Sequence, residues 1–150
     1  MAPRLLDAWL MTSDPDHPVR QFPVVRQYMS PGPHTIGADR PLSAARAMML
    51  EHGVRHLPVL SGGRIVGLLS ERDLLLVEAL PGVNPTVVRV DEAMVESVLT
   101  AAPDTPLGEV VETMIDRKVG SAVIMEGEHV VGVFTTVDAL GALHELLERP

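Results

Sequence analysis

Cysteine is absent from this 150-residue chain, which removes disulfide frameworks and thiolate-based metal or redox sites from consideration. Lysine is nearly absent: Lys118 stands alone, so almost all positive charge is guanidinium, the group suited to two-point contacts with carboxylate or phosphate. Aromatic residues make up 3%, with one Trp, one Tyr and two Phe. They offer no platform for stacking single-stranded nucleic acid, and the core has to come from Val, Leu, Ile, Ala and Met. No run reaches the roughly 18 apolar residues of a membrane-spanning helix, because Arg, Asp, Glu or paired Gly interrupts each one. No basic-then-apolar leader is present, so the expected location is cytoplasmic, with no membrane partner. Positive charge is also outnumbered, 12 Lys+Arg against 20 Asp+Glu for a net charge of -8. That balance opposes general nucleic-acid binding, where neutralising phosphate dominates affinity, and leaves small anions to local charge.

What is present fits one compact unit: hydrophobic residues are 46% and charged residues 21%, close to a globular average. The chain also repeats itself. At an offset of 65 positions, Val25, Met29, Thr35, Asp39, Pro41, Leu42, Met49, Val54, Gly62, Val66, Gly67 and Asp73 fall without a gap on Val90, Met94, Thr100, Asp104, Pro106, Leu107, Met114, Val119, Gly127, Val131, Gly132 and Asp138. Two copies with a non-helical period argue against a solenoid and for two similar halves packed face to face.

Each copy reads as strand, helix, strand, strand, helix, opened by a short helical start that ends at Met29 or Met94. Pro41 and Pro106 mark helix starts, as proline does at a first helical position. Leu107, Val110, Val111, Met114 and Ile115 then trace one apolar helical face, and Leu42, Ala45 and Met49 a sparser one. Residues 55–60 and 64–70 are short apolar runs around Ser61-Gly62-Gly63, and residues 121–125 and 129–135 flank Glu126-Gly127-Glu128. Both read as hairpins, and a helix begins after each, near Glu71 and Thr136. The expected organisation is an N-terminal arm at 1–23, a first repeat at 24–80, a linker at 81–89 and a second repeat at 90–150. The arm holds Trp9 among leucines and reads as a short helix over 3–11, packing on this module or a second copy, or as a partly ordered tail.

The segments carrying most information are Gly67-Leu68-Leu69-Ser70-Glu71-Arg72-Asp73 and Gly132-Val133-Phe134-Thr135-Thr136-Val137-Asp138. Each sets a hydroxyl and a carboxylate three residues apart where a strand hands over to a helix. One reading is a capping box, in which both groups satisfy free backbone N–H groups of the first turn. The other is a ligand site: the helix end attracts an anion, and the Asp accepts hydrogen bonds from vicinal sugar hydroxyls.

Met-Ser-Pro before the first copy, Leu-Pro-Val in its hairpin and Gly-h-h-Ser/Thr-x-x-Asp at the end of each, in tandem, resemble a pair of cystathionine-β-synthase-type (CBS) domains, a Bateman module. The resemblance runs from Val24 to about Leu147. It implies an α/β fold, two pseudo-symmetric β-α-β-β-α halves with their sheets packed face to face. It also implies clefts that bind an adenosyl small molecule, AMP, ADP, ATP, NAD or S-adenosylmethionine, as a regulator and not a substrate. Carried over by residue, it assigns ribose hydroxyls to Asp73 and Asp138 and puts Ser70 and Thr135 near ribose or phosphate. Arg72 takes the basic position that meets phosphate; Val137 replaces it in the second copy, which favours a less anionic ligand there, or none. The adenine pockets fall on Thr35, Gly37 and Ala38 with His56, Leu57 and Pro58, and on Thr100 and Ala102 with Ser121 and Ala122. A homodimer through exposed apolar helix faces and an unidentified regulated protein complete the implied partners.

Other chemistries find little support. His52 and His56 are four apart, but Gly53 lies between them at a helix end, which is a poor zinc pattern. Ser70 lacks a nucleophile elbow, and Gly62-Gly63 sits between strands, where a dinucleotide loop does not. The chain is read as non-enzymatic, with no catalytic cofactor. The competing reading is a dimerisation or interaction module with degenerate clefts in which the Ser/Thr-x-x-Asp segments only cap helices.

Overall fold

A single 3-10 turn at Val25–Gln27 leads into β1 (Ser30–Pro31), β2 (Ile36–Gly37), α1 (Leu42–His52), β3 (His56–Ser61), β4 (Arg64–Ser70) and α2 (Glu71–Glu78). A second turn at Val90–Glu92 leads into β5 (Thr100–Ala101), α3 (Leu107–Arg117), β6 (Ser121–Glu126), β7 (His129–Thr135) and α4 (Thr136–Glu148). The computed structural model describes residues 22–32 and 34–150. The arm expected over 1–23 therefore lies almost wholly outside the described residues.

Local chemistry accounts for these elements. Gly62 and Gly63 both adopt left-handed backbone, at φ 57 and 77, the conformation a two-residue hairpin turn needs and a side chain resists. Gly127 does the same in the second hairpin, at φ 59. The hairpin strands alternate with a buried run in the middle, and β3 and β6 bury residues 57–59 and 122–124. Pro41 and Pro106 sit one residue earlier than expected, capping α1 and α3 with extended or near-extended backbone and not beginning them. Of the expected apolar face of α3, Leu107, Val110 and Met114 are buried, while Ile115 is 68% exposed. Val111 is partly buried against the same core, so the buried face of α3 is narrower than the expected stripe.

The two sheets have the orders β2-β3-β4 and β1-β7-β6-β5. In each, a short strand runs parallel to the first hairpin strand, β2 on β3 and β5 on β6. However, β1, which precedes the first copy's β2, pairs antiparallel with β7 of the second copy, Ser30 facing Val133. The reciprocal bridge joins Val95 to Leu68, with backbone hydrogen bonds of 2.9 and 3.0 Å. The cores follow the same crossing. Val90 packs among Leu42, Met49, Leu57 and Leu69 of the first copy, and Val25 among Leu107, Met114, Ile124 and Phe134 of the second. A third cluster, Leu68 with Val123 and Val130, joins the two sheets. Each copy's opening turn thus completes the other's core, and burying these side chains ties the halves together.

Glycine is needed at two further positions. A Cβ on Gly67 would run into Met94 Sδ and lie 3.0 Å from the Val95 carbonyl oxygen; on Gly132 it would lie 2.8 Å from both Met29 Sδ and the Ser30 carbonyl oxygen. These two glycines let the exchanged segments approach β4 and β7.

Candidate functional site

The strand-to-helix corners settle first. Ser70 ends β4 in extended backbone and caps α2: its Oγ accepts from the Asp73 N–H at 3.0 Å and donates to Asp73 Oδ2 at 2.7 Å. Thr135 caps α4, accepting from the Asp138 N–H at 3.4 Å and donating to Asp138 Oδ2 at 3.1 Å, while its own N–H donates to the same oxygen at 2.8 Å. Capping therefore operates at both corners, and a carboxylate at the third helical position also complements the positive helix end.

The corners differ in what they leave over. Asp138 Oδ1 accepts from Ser30 Oγ at 3.4 Å, so both of its oxygens are engaged. Asp73 Oδ1 has no hydrogen-bond partner among the described residues, its only bonded oxygen being Oδ2. The first copy's carboxylate keeps an acceptor free, and the second copy's does not.

Asp73 faces a cleft of about 470 Å³, within the usual range for small-molecule sites. The first copy lines it with His56, Leu68, Ser70, Arg72, Asp73 and Leu76. The second supplies Val95, Ser97, Val98 and Leu99 from the segment before β5, and Val119, Gly120 and Ser121 from the start of β6. The cleft is thus composite, polar along the α2 corner and apolar along much of the opposite wall. Such a surface suits a molecule with a flat apolar body and a polar end.

His56 stands opposite Ser70 in the β3–β4 register and is half-buried. Burial lowers its pKa, against the opposing pull of Asp138, Asp73 and Glu71 and with a small further push from Arg55, because desolvation disfavours the charged form.

Of the residues the sequence pointed to, His56, Ser70, Arg72, Asp73 and Ser121 come together in this cleft. Thr35, Gly37, Ala38, Leu57, Pro58, Thr100, Ala102, Ala122, Thr135 and Asp138 do not line it. Leu57, Pro58 and Ala122 are fully buried in the middle of central strands, so their side chains serve the core. Ala38 is buried as well, its N–H bonded to the Leu60 carbonyl and its carbonyl to the Asp91 N–H. Ala102 closes a turn with Thr105, and Gly37 and Thr100 lie in β2 and β5 beside Leu60 and Val123. Of the opposite wall only Ser121 was anticipated; Val95, Ser97, Val98, Leu99, Val119 and Gly120 were not. The offset of 65 locates those segments in each copy, but nothing in their residue types says that they cross to the other one.

Among the described residues His34 stacks on His52 with ring centroids 4.0 Å apart, and no three His, Cys, Asp or Glu side chains could hold an ion together.

Comparison with known proteins follows the same outline. The family described as CBS domain matches residues 25–79 and again 90–145. An A-adding tRNA nucleotidyltransferase of Geobacter sulfurreducens is 30% identical over 108 residues, 72% of this chain and 12% of that protein. The gamma-3 subunit of the 5'-AMP-activated protein kinase of Bos taurus is 32% identical over 111 residues, 69% of this chain and 22% of the subunit. The chain therefore spans a fifth or so of these relatives' length, or less. Among solved structures, the CBS domain pair of protein MJ0100, in complex with 5'-methylthioadenosine and S-adenosyl-L-methionine, superposes with a TM-score of 0.72 at 22% identity, covering 83% of this chain and 98% of that one.

Proposed function

The chain belongs to the CBS domain family, and from that premise we propose that it is a regulatory module that binds an adenine nucleotide or another adenosyl compound between its two copies and passes occupancy to a partner protein. The observation that carries this reading is the composite cleft, in which Ser70, Arg72 and Asp73 of one copy face residues 119–121 of the other. A ligand seated there touches both copies, so its preference for one relative arrangement biases that arrangement. The free Oδ1 of Asp73 supplies an acceptor for a sugar hydroxyl, and Leu68, Val98 and Leu99 supply apolar surface for a base. The adenosyl ligands of MJ0100 and the AMP named for the kinase subunit support the same class. AMP, ADP, ATP, NAD and S-adenosylmethionine all fall within it.

The module itself carries out no reaction in this proposal. Of the three serines that line the cleft, Ser70, the one at the helix corner, is committed to capping α2 through Asp73. Its partner surface includes a second copy of the chain. Leu75 and Leu76 on α2, with Leu140, Leu143 and Leu147 on α4, are 46 to 73% exposed, a concentration of large apolar side chains that pairing would cover. Among the described residues no helix is long and apolar enough to cross a membrane, and a cytoplasmic site of action belongs to the same proposal.

Thermal melting with AMP, ADP, ATP, NAD and S-adenosylmethionine at millimolar concentration tests the reading. A ligand selective for the folded chain raises the melting temperature; Asp73→Ala abolishes that rise, and Glu128→Ala, in an exposed hairpin turn, preserves it. No shift with any of the five sinks the proposal. One observation favours the interaction-module reading for the second copy: both Asp138 oxygens are used internally and Val137 replaces the arginine. The module is thus proposed to sense through its first corner, the second being structural.

A further inference from the structure

We propose that the residue after the methionine of each opening turn sets how readily a corner accepts a ligand's sugar hydroxyl: Ser30 supplies an internal hydroxyl to the second corner, and Val95, with none to offer, leaves the first corner to the ligand. The inference rests on the adenosyl-binding reading above and adds to it the pair of residues that selects the sensing corner.

Ser30 and Val95 are equivalent in sequence and in space. They lie 65 positions apart, after Met29 and Met94. Each stands against the other copy's second hairpin strand, Ser30 opposite Val133 and Val95 opposite Leu68. Those two partners are also 65 apart, each two residues before the hydroxyl of its corner, Thr135 or Ser70. Backbone bonding holds both positions. β1 pairs over Ser30 and Pro31 and continues with the Gly32 N–H donating to the Val131 carbonyl at 3.1 Å, while Val95 exchanges its two backbone hydrogen bonds with Leu68. One side-chain position therefore overlooks each corner, and Val95 lines the cleft together with Ser70 and Asp73.

What differs is the group carried there. Ser30 Oγ donates to Asp138 Oδ1 at 3.4 Å, and Thr135 takes Asp138 Oδ2. Val95 carries only methyl groups, and Asp73, bonded by Ser70 through Oδ2, keeps Oδ1 without a partner among the described residues. A serine hydroxyl is the same kind of donor as a sugar hydroxyl. Presented from a paired strand, it competes with a ligand that must still give up its own freedom on binding. The Ser30 bond is long and its donor exposed, so the internal hydroxyl is displaceable. It handicaps the second corner by a modest factor and does not seal it.

Calorimetric titration with adenosine and its 2'- and 3'-deoxy forms reads the sugar contact alone, because none of the three carries a phosphate. In the wild-type chain adenosine should bind about tenfold more tightly than the weaker deoxy form, as the loss of a charge-assisted hydrogen bond implies. Val95→Ser gives the first corner the hydroxyl of the second and should cut that ratio to about threefold or less. Val95→Ala trims the apolar wall without adding a donor; it should keep the ratio, even where all three ligands weaken together. Ser30→Val returns Asp138 Oδ1 to the ligand and should bring out a second adenosine-binding event. A ratio unchanged in Val95→Ser, an equal fall in Val95→Ala, or a single event in Ser30→Val overturns the inference and leaves the adenosyl reading standing. Adenosine failing to bind a chain that AMP stabilises does the same, since the sugar contact then carries too little. Failure of both adenosine and AMP to bind sinks both. A cooperative melt for each variant separates loss of binding from loss of fold.

Discussion

Gly53 and Lys118 occupy the same place at the ends of equivalent helices, and both hold left-handed backbone, at φ 63 and 55. The first copy meets that geometry with the residue suited to it, and the second with the chain's only lysine. A left-handed residue with a Cβ costs roughly 1–2 kcal/mol, offset in part by the extra freedom glycine has when unfolded. Lys118→Gly is therefore expected to stabilise the protein by up to about 1 kcal/mol, measured as a raised denaturation midpoint with unchanged slope. A lowered midpoint would show that the lysine side chain contributes something the backbone argument omits.

The glycines beneath the exchanged segments make the opposite prediction. Gly132→Ala pushes a methyl against the Ser30 carbonyl oxygen, which is backbone and has little room to yield, whereas in Gly67→Ala the nearest obstacle is the flexible Met94 side chain. Both should destabilise by about 1–3 kcal/mol, with Gly132→Ala the worse. Met94→Ala should partly rescue Gly67→Ala, because it removes that obstacle. Equal and additive losses in urea denaturation would contradict this account.

The two helix corners are expected to separate stability from binding. Asp138 accepts from the Thr135 N–H, the Thr135 hydroxyl and the Ser30 hydroxyl, and so ties α4 to the exchanged β1. Among the described residues the Asp73 carboxylate accepts only from Ser70. Asp138→Ala should cost more folding free energy than Asp73→Ala, about 2 against about 1 kcal/mol. Asp73→Ala alone should weaken ligand binding. Chemical denaturation and titration of the same two proteins check both halves of the statement.

His56 gives a pH dependence with a definite sign. Its folded-state pKa lies below the ordinary 6.5, chiefly through burial, so the unfolded chain binds the proton more readily. The stability this ring contributes is complete above its unfolded pKa and falls as pH drops below about 6.5. His56→Gln should flatten that part of the stability profile between pH 7 and 5. A variant profile parallel to the wild type would assign the acid sensitivity to other groups.

The elements that proved legible in sequence are those whose cause is local. Gly62-Gly63 and Gly127 announced the hairpins because few other residues adopt their backbone, and the spacing of Leu107, Val110 and Met114 announced α3. Ser70 and Asp73 were legible both as a cap and as a candidate site, since one geometry serves both uses. Leu57-Pro58 had the look of a recognition motif but forms the middle of a buried strand. Its side chains belong to the core, so what it could present to a ligand is backbone, which leaves no mark on residue type. The far wall of the cleft stayed hidden because Val98, Leu99 and Gly120 are ordinary residues made important only by which copy they lie against. That is decided by the pairing of Val95 with Leu68, a contact between backbones that leaves no mark on side-chain identity.

The crossing of Val25 and Val90 into each other's cores bears on how such a chain could have arisen. A lone copy of some 60 residues has too little core to be comfortably stable, and here its opening turn is shaped for a neighbour's sheet. Such a unit could satisfy those contacts only by trading turns with an identical molecule, as domain-swapped dimers do. The present chain has the form of that dimer joined end to end, and the join frees each half to diverge. Arg72 and Val137, Gly53 and Lys118, Asp73 and Asp138 show the divergence under way, with one half holding an arginine and a carboxylate bonded through one oxygen where the other holds a valine and a carboxylate bonded through both.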